Sequence, residues 1–398
     1  MPAVVIDIRH AQDARDRDRD KRDRDMRDRE MRDPDLRDVV HQTIQALVEG
    51  KIVAFPTETV YGLAASALDE RAVERLATIK GRAKGHPLTL AVKSADEARD
   101  FVPDMTPLAQ RLARRCWPGP VTLVVDDSHP ESLARQLPPR VMEYVAPSKT
   151  LGLRVPGHQF LLDVLQMLVG PLALTSANRT GGEEAVNARE VLDVLGGDID
   201  LVLDDGPCRY GEPSSVVRIH GNRYEILRAG VVPEKTLQRL SSTMVLFICT
   251  GNTCRSPMAE AICRQIIAQR LGCRIDELDE RGVMVMSAGL SASLGGRAAP
   301  EAVHVLSGMG LDLSDHETQP LTDRLARHAD IIYTMTRTHR ESIVEKWPAA
   351  AERTFLLCAD ETDICDPIGG PTERYQRCAT QIRAEIEIRL SHIEQVLK

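Results

Sequence analysis

The sequence predicts two α/β domains in succession: a mixed-sheet domain over residues 39–232 and a small doubly wound parallel sheet over residues 244–398. Three observations lead there. After Val39, short apolar runs alternate with apolar residues at helical spacing, the signature of α/β packing. In the first half, Ser215 to Ile219 and Tyr224 to Arg228 flank the turn His220-Gly221-Asn222, a hairpin that brings antiparallel pairing into that sheet. In the second half, Val245-Leu246-Phe247-Ile248 is a continuous apolar run, as in a parallel strand buried on both faces.

Composition sets the outer bounds. A chain of 398 residues is long enough for two ordinary cores. A formal net charge of −8 gives no global basic field for nucleic acid, though a local basic cavity is compatible with it. Nine cysteines, an odd number without C-x2-C pairs, suggest reduced thiols rather than a disulfide framework or a zinc site. There is no apolar leader core and no uninterrupted apolar stretch near the ~18 residues of a membrane span, so the expectation is a cytoplasmic protein without a membrane partner.

Residues 1–38 read as a charged low-complexity segment, with Arg and Asp alternating from Asp13 to Asp38. Within Asp13 to Asp38 too few apolar groups are present to offset ordering entropy, so a solvated spacer is expected, as a tether or a fluctuating helix held by Arg–Asp pairs. Val39 to Glu49 has helical periodicity and Gly50 ends it. Ile52 to Phe55 reads as a buried strand and Arg71 to Lys80 as a helix. Leu88 to Val92, Val121 to Val125, Leu151 to Val155 and Leu172 to Thr175 read as strands, with helices at Pro107 to Cys116 and Phe160 to Leu168. Val231 to Thr243 holds one short helix and a polar linker, placed at 233–243.

Three polar clusters stand at the ends of these elements: Lys80 with Arg82, Ser176-Ala177-Asn178, and Arg154 with His158. Loops at strand ends are where α/β sheets place ligands. Cations beside small hydroxyl and amide groups suit a polyphosphate and a carboxylate. From the residues alone this half binds an anion, best a nucleotide, and each cluster by itself is also compatible with ordinary solvated loop polarity.

In order along the chain, P-T-E-T-V-Y-G-L, K-G-R, W-P-G-P-V-T-L, L-R-V-P-G-H, L-T-S-A-N-R-T-G and I-L-R-A-G resemble the YrdC/Sua5 family. That resemblance implies synthesis of threonylcarbamoyl-AMP from L-threonine, bicarbonate and ATP with release of pyrophosphate. The product would feed the t6A transferase machinery that modifies position 37 of tRNA. It implies that Lys80, Arg82, Ser176 and Asn178 hold ATP phosphates and the carbamate. Thr57, Tyr61 and Arg154 become candidates for L-threonine, joined less firmly by His86 and His158, and Thr122, Ser214 and Arg228 for the nucleotide. Three anions in one cavity call for cations, with Mg²⁺ accompanying ATP. An RNA-binding module is the alternative for this half.

The second half is organised around M-V-L-F-I-C-T-G-N-T-C-R-S-P-M-A-E, Met244 to Glu260. Cys249 opens a loop that Arg255 closes in the spacing C-x5-R, and Ser256 and Pro257 read as a helix cap and a first-turn proline. A loop wrapped onto a helix N-terminus converges backbone N–H groups on one point and adds the helix dipole, a cradle for a phosphate dianion. The same field stabilises a thiolate. The planar fork of Arg255 suits two phosphate oxygens. A structural cysteine before an ordinary helix would fit Cys249 alone, but not Gly251, Asn252, Arg255 and Ser256 at these spacings. A nucleotide loop of the Walker kind lacks its Gly-Lys-Ser/Thr ending.

Beyond the cradle, Ser256 to Arg270, Pro300 to Met309, Arg337 to Lys346 and Pro371 to the C-terminus read as helices. Val283 to Ser287, Ile331 to Met335 and Thr354 to Leu357 read as strands. Asp366-Pro367 lies in a loop before the last helix, where a carboxyl is able to protonate a leaving group. With that distal D-P, C-T-G-N-T-C-R-S-P-M-A-E resembles the low-molecular-weight protein tyrosine phosphatases. The resemblance implies Cys249 as nucleophile, Arg255 as phosphate clamp and Asp366 as general acid. Thr250, Gly251, Asn252, Thr253, Cys254, Ser256 and Ser287 then form and support the phosphate loop, with His316 beside them. Cys254 resembles the partner of a reversible disulfide with Cys249. No cofactor or metal is expected in this half. Thr253 and the run Ile368-Gly369-Gly370 after Asp-Pro resemble the protein-arginine phosphatase branch, which lacks the aliphatic and aromatic wall expected around a phenol ring. Phosphotyrosine and another phospho-metabolite are the alternatives. The expected whole is a bifunctional enzyme, with a binding or regulatory protein carrying one degenerate half as the rival.

Overall fold

The computed structural model describes residues 2–9, 34–81 and 86–397. The Arg/Asp-rich residues 13–33 and the predicted ligand cation Arg82 lie outside them. The chain divides into two compact units, Met1–Leu237 and Gln238–Lys398. No helix among the described residues is long and apolar enough to cross a membrane.

In chain order the first unit contains β1 (Val4–Asp7), α1 (Pro34–Val48), β2 (Val53–Phe55), β3 (Gly62–Ser66), α2 (Glu70–Ile79), β4 (Thr89–Ala91), α3 (Ala95–Phe101) and α4 (Pro107–Cys116). Then come β5 (Val121–Asp126), α5 (Pro139–Val145), β6 (Thr150–Arg154), α6 (Gln159–Met167), β7 (Leu172–Ser176), α7 (Ala188–Leu195), β8 (Leu201–Asp204), β9 (Ser215–His220) and β10 (Arg223–Arg228). The strands form one sheet in the order β1-β8-β2-β3-β7-β4-β6-β5-β9-β10. β4 pairs β6 in parallel, while β3 and β4 both run antiparallel to β7, so the sheet is mixed as expected.

Local sequence explains the element ends. Gly50 closes α1 at φ +76°, in the left-handed region that glycine enters at little cost. Asp69 caps α2 by accepting from the N–H groups of Arg71 and Ala72. Leu36, Val40 and Leu47 of α1 and Phe160, Leu161 and Val164 of α6 share one core with Val53 and Phe55 of β2.

The structure differs from the sequence expectation at the start of the chain. Val4–Asp7 is not part of a charged low-complexity segment: it is an edge strand paired in parallel with Leu201–Asp204, and Ile8 behind it is buried. Leu36 likewise belongs to the core. A four-residue strand beside a long charged run is overwhelmed in any composition window. β3, Gly-Leu-Ala-Ala-Ser, was also not expected; its small residues lack β-propensity, and it forms because both neighbours pair with it.

The helix α8 (Glu234–Ser241) spans the boundary between the units. The second unit then runs β11 (Thr243–Cys249), α9 (Arg255–Leu271), β12 (Val283–Gly289), α10 (Pro300–Gly308), α11 (Asp323–His328), β13 (Ile331–Thr334), α12 (Arg337–Lys346), β14 (Thr354–Leu356) and α13 (Thr372–Leu397). Its sheet, in the order β12-β11-β13-β14, is parallel throughout. The apolar run in β11 alternates between two cores. Val245 and Phe247 face one with α9, α10 and α13, and Met244, Leu246 and Ile248 face another with α11 and α12. A strand covered on both faces has no polar alternation, which is why it reads as a continuous run. Parallel pairing also brings the carboxyl ends of β11, β12 and β13 to one edge.

Candidate active sites

Cys249 ends β11 and is buried at the base of the loop that leads into α9. Its Sγ lies 2.9 Å from Ser256 Oγ and accepts from the Asn252 N–H at 3.2 Å. Asn252 is wholly buried with φ 55°, a left-handed conformation costly for a non-glycine residue. Its side chain offsets that cost. Nδ2 donates to Ser256 Oγ at 3.0 Å and to Ser287 Oγ at 2.9 Å, and Oδ1 accepts from the Gln319 N–H at 2.9 Å. Ser287 Oγ continues to Glu260 Oε2 at 2.7 Å, and His316 Nε2 meets the Asn252 carbonyl at 2.9 Å. Burial, outweighing the Ser287 hydrogen bond, raises the Glu260 pKa.

The helix cap departs from the sequence reading. Ser256 is not the N-cap of α9; that position is Cys254, whose side chain makes no capping bond. The Ser256 hydroxyl is spent on Cys249 and Asn252, so no capping side chain occupies the first-turn N–H groups. Gly289, at the end of β12, is required by space. A Cβ there would lie 2.5 Å from the Thr250 carbonyl oxygen and 2.9 Å from the Asn252 nitrogen. The strand beside that of Cys249 is therefore pressed directly against the loop.

Arg255 is buried and donates from Nη2 to Asp366 Oδ2 at 2.5 Å. Asp366 is about half exposed, with a side-chain exposure of 45%, and its Oδ1 accepts from the Ile368 N–H at 3.1 Å. Thr253 Oγ1 is 3.4 Å from Cys254 Sγ, which is itself 3.6 Å from the Tyr375 hydroxyl. Burial raises the Cys254 pKa. Ile368 is 65% exposed and no aromatic residue follows Asp366-Pro367 in the loop. Sequence reasoning overlooked His339, whose Nε2 lies 2.9 Å from Thr250 Oγ1. No local signal marks it: M-T-R-T-H follows β13, and only the fold sets that strand beside β11.

In the first unit a cavity opens over the central strands. Thr57, Tyr61, Thr122, Arg154, Ser176, Ser214 and Arg228, all singled out from sequence, line it together with Glu184 and Thr175. Arg154 is buried in an ion pair with Glu58 at 2.7 Å and donates to Thr59 Oγ1 at 3.0 Å. Thr57 Oγ1 donates to the Val60 carbonyl at 2.6 Å and meets Thr59 Oγ1 at 2.8 Å. The Tyr61 hydroxyl donates to the Gly206 carbonyl at 3.0 Å, and burial pushes its pKa up. Arg228 Nη2 donates to Ser214 Oγ at 3.0 Å, and Ser214 Oγ stands 3.3 Å from Thr122 Oγ1. Burial lowers the Arg228 pKa against the opposing charge of Glu184, 3.9 Å away. A partly desolvated cation with so distant a counter-charge favours an anionic ligand.

Lys80 and Asn178 are not among the lining residues but join the cavity through Ser176. Lys80 Nζ donates to the Ser176 carbonyl at 2.8 Å and to the Asn178 carbonyl at 2.5 Å, and is also bonded to Asn178 Oδ1. His158 is bonded to Asp205 at 3.0 Å and does not line the cavity; His86 is exposed and likewise does not line it. Thr175 Oγ1 is buried with no hydrogen-bond partner. Sequence reasoning did not single out Glu58, Thr59 or Thr175, although all three lie inside the stretches it quoted.

Residues 45–230 match the Sua5/YciO/YrdC family, described as telomere recombination, and residues 244–397 match the low-molecular-weight phosphotyrosine protein phosphatase family. Among curated relatives, the threonylcarbamoyl-AMP synthase of Pyrococcus abyssi is 35% identical over 48% of this chain. This chain spans about half of that relative, 54% of its length. The threonylcarbamoyl-AMP synthase of Mus musculus is 33% identical over 52% of this chain and 73% of its own length. Among solved structures, the YwlE arginine phosphatase of Geobacillus stearothermophilus is 34% identical, covers 38% of this chain and 93% of its own, and aligns with a TM-score of 0.33.

Proposed function

The chain belongs to the Sua5/YrdC family in its first unit and carries a low-molecular-weight phosphatase domain in its second, and from that premise we propose a bifunctional enzyme. The first unit makes threonylcarbamoyl-AMP from L-threonine, bicarbonate and ATP, for transfer to position 37 of tRNA. The second removes phosphate from phosphorylated protein through a cysteinyl-phosphate intermediate, with phosphoarginine as the substrate.

For the first unit, the carrying observation is the convergence of Arg154, Arg228, Thr122, Ser176 and Ser214 on one cavity, with Lys80 anchored behind Ser176. The amine of L-threonine bonds to the carbon of bicarbonate, whose C–O bond breaks as water leaves with an N–H proton, giving a carbamate. Its oxygen attacks the α-phosphorus of ATP, and pyrophosphate leaves with the electron pair of the broken P–O bond. Lys80 and Arg228 offset the charge gathered during that step, and Arg154, held by Glu58, faces the amino acid carboxylate. The oxygen donors Thr122, Ser176, Ser214 and Glu184 suit a hard cation, and Mg²⁺ would enter with the ATP phosphates. Pyrophosphate release that requires ATP, L-threonine and bicarbonate together tests the activity; release independent of threonine would sink it.

For the second unit, the carrying observation is the cradle that holds Cys249 Sγ at the foot of an uncapped helix, with Arg255 and Asp366 paired across its mouth. A phosphate dianion competes with Asp366 for Arg255 and frees the carboxylate, which takes up a proton from solvent beside the leaving group. The Cys249 thiolate attacks phosphorus, the P–N bond breaks, and Asp366 gives its proton to the departing nitrogen. Asp366 then takes a proton from water, whose oxygen attacks phosphorus and releases phosphate and the thiolate. The hydroxyls of Thr250 and Thr253, and the run Ile368-Gly369-Gly370 with its exposed Ile368 and Gly369, support phosphoarginine, since none of them walls a phenol ring. Phosphate release from phosphoarginine and phosphotyrosine peptides side by side, with Cys249→Ser as the blank, tests it. A wild type that favours phosphotyrosine would refute the substrate assignment while leaving the phosphatase class intact.

A further inference from the structure

His339 lies in the first turn of α12, only 6% exposed, and both of its ring nitrogens are engaged. Nδ1 is 2.9 Å from Thr336 Oγ1 and Nε2 is 2.9 Å from Thr250 Oγ1. Thr336 is the N-cap of α12, and its Oγ1 already accepts from the His339 backbone N–H at 3.3 Å. Two hydrogen arrangements satisfy these groups: the Thr336 hydroxyl donates to Nδ1 while Nε2–H donates to Thr250 Oγ1, or Nδ1–H donates to Thr336 Oγ1 while the Thr250 hydroxyl donates to Nε2. In both, a lone pair of Thr250 Oγ1 stays open to a ligand. Thr250 follows Cys249 directly and is exposed. The imidazole facing it is neutral: burial first, and then the Arg255 guanidinium, push its pKa down to about 4 against Asp366 and Asp363.

We propose that His339 is a positioning residue for substrate selection, fixing the Thr250 hydroxyl so that a lone pair faces the N–H groups of a guanidine leaving group. This inference rests on the phosphoarginine reading. A guanidine leaving phosphorus presents N–H donors that a phenol lacks, so an oriented acceptor beside the nucleophile separates the two substrates. His339 exchanges no proton in the reaction; Asp366 retains that part.

The test measures kcat and KM separately for a phosphoarginine and a phosphotyrosine peptide, in the full chain and in His339→Ala, His339→Gln and Thr250→Val. Loss of one oriented hydrogen bond corresponds to about tenfold. The expected result is that His339→Ala loses about tenfold in kcat/KM on phosphoarginine, mainly through KM, and changes phosphotyrosine less than about threefold. Glutamine brings an amide that donates or accepts at the place of Nε2, so His339→Gln should recover most of the loss. Thr250→Val, which deletes the hydroxyl and keeps the shape, should match His339→Ala. Equal losses on both substrates in His339→Ala, an unchanged substrate ratio, or no recovery in His339→Gln would overturn the role. If His339→Ala does not fold, the His339→Gln and Thr250→Val ratios decide. A wild type that prefers phosphotyrosine refutes the substrate reading itself, a result seen before any variant is made.

Discussion

The two candidate anion sites are built in opposite ways. The Cys249 cradle is one short continuous loop, and its groups converge because the backbone turns tightly onto a helix start. The cavity of the first unit is assembled from β3, β4, β5, β6, β7, β9 and β10, with partners such as Arg154 and Glu58 far apart in sequence. In the cradle the backbone and helix dipole supply the charge complement, and one side-chain cation closes it. In the cavity the side chains supply nearly all of it, and several are already tied to carboxylates or carbonyls. A site made by local backbone geometry should fail all at once when its reacting atom is removed. One made of dispersed side chains should lose function in graded steps.

The sharpest break in that comparison is Cys249→Ser. It should remove phosphate release by about 10⁴-fold or more, because the covalent step has no substitute, while ATP-, threonine- and bicarbonate-dependent pyrophosphate release stays unchanged. A loss of both activities would mean that the two chemistries are not separable. Next in size is Lys80→Ala, expected to lower pyrophosphate release by about 10²–10³-fold, as for removal of one preorganised charge. If Lys80→Ala matched the wild type, its bonds to the Ser176 and Asn178 carbonyls would be structural only, and the anion would rest on Arg154 and Arg228.

The same contrast decides how much was legible in the sequence. Cys249 to Ser256 could be read because loop, helix start and cation are contiguous, and only the duty of Ser256 was misassigned as a cap. The Asn252–Ser287 bond was also within reach, since Ser287 ends the neighbouring parallel strand. His339 was not, because a histidine in the first turn of a polar helix looks like surface until β13 is set beside β11. In the first unit the motifs could be quoted, but residue chemistry alone went no further than an anion site. The pairing of Arg154 with Glu58 depends on a fold that brings β6 to the loop after β2. Val4–Asp7 was hidden for a different reason: its identity as a strand comes from Leu201–Asp204, not from its own composition.

A smaller effect probes how the cradle is buttressed. The folded-state pKa of His339 is depressed from its ordinary 6.5 to about 4. The unfolded chain therefore binds the extra proton between those values. Stability from the neutral imidazole is present above pH 6.5 and lost as pH falls toward 4. The full shift corresponds to about 3 kcal/mol. Urea unfolding followed by Trp347 fluorescence in a Trp117→Phe background should lose stability between pH 6.5 and 4 more steeply with His339 than with His339→Gln. Parallel pH profiles for the two proteins would mean that His339 is open to solvent, and that Thr250 is not held by a buried base.

The finest test lies at the cradle's rim, where construction turns into specificity. Thr253 offers a hydroxyl and a single methyl group to the site mouth, and its Oγ1 sits 3.4 Å from Cys254 Sγ. Replacing it with isoleucine leaves the loop backbone and the cradle N–H groups in place, so kcat for a small reactive ester such as p-nitrophenyl phosphate should change little. What changes is the wall: about two more apolar carbons for an aryl ring and one polar contact fewer for a guanidine. Each such difference is worth roughly 1 kcal/mol and both act in the same direction, so the phosphoarginine-to-phosphotyrosine ratio of kcat/KM should fall by about thirtyfold. An unchanged ratio in Thr253→Ile would show that the rim hydroxyl does not sort substrates. Selection would then have to come from the loop at Asp366, where Ile368 and two glycines stand in place of an aromatic wall.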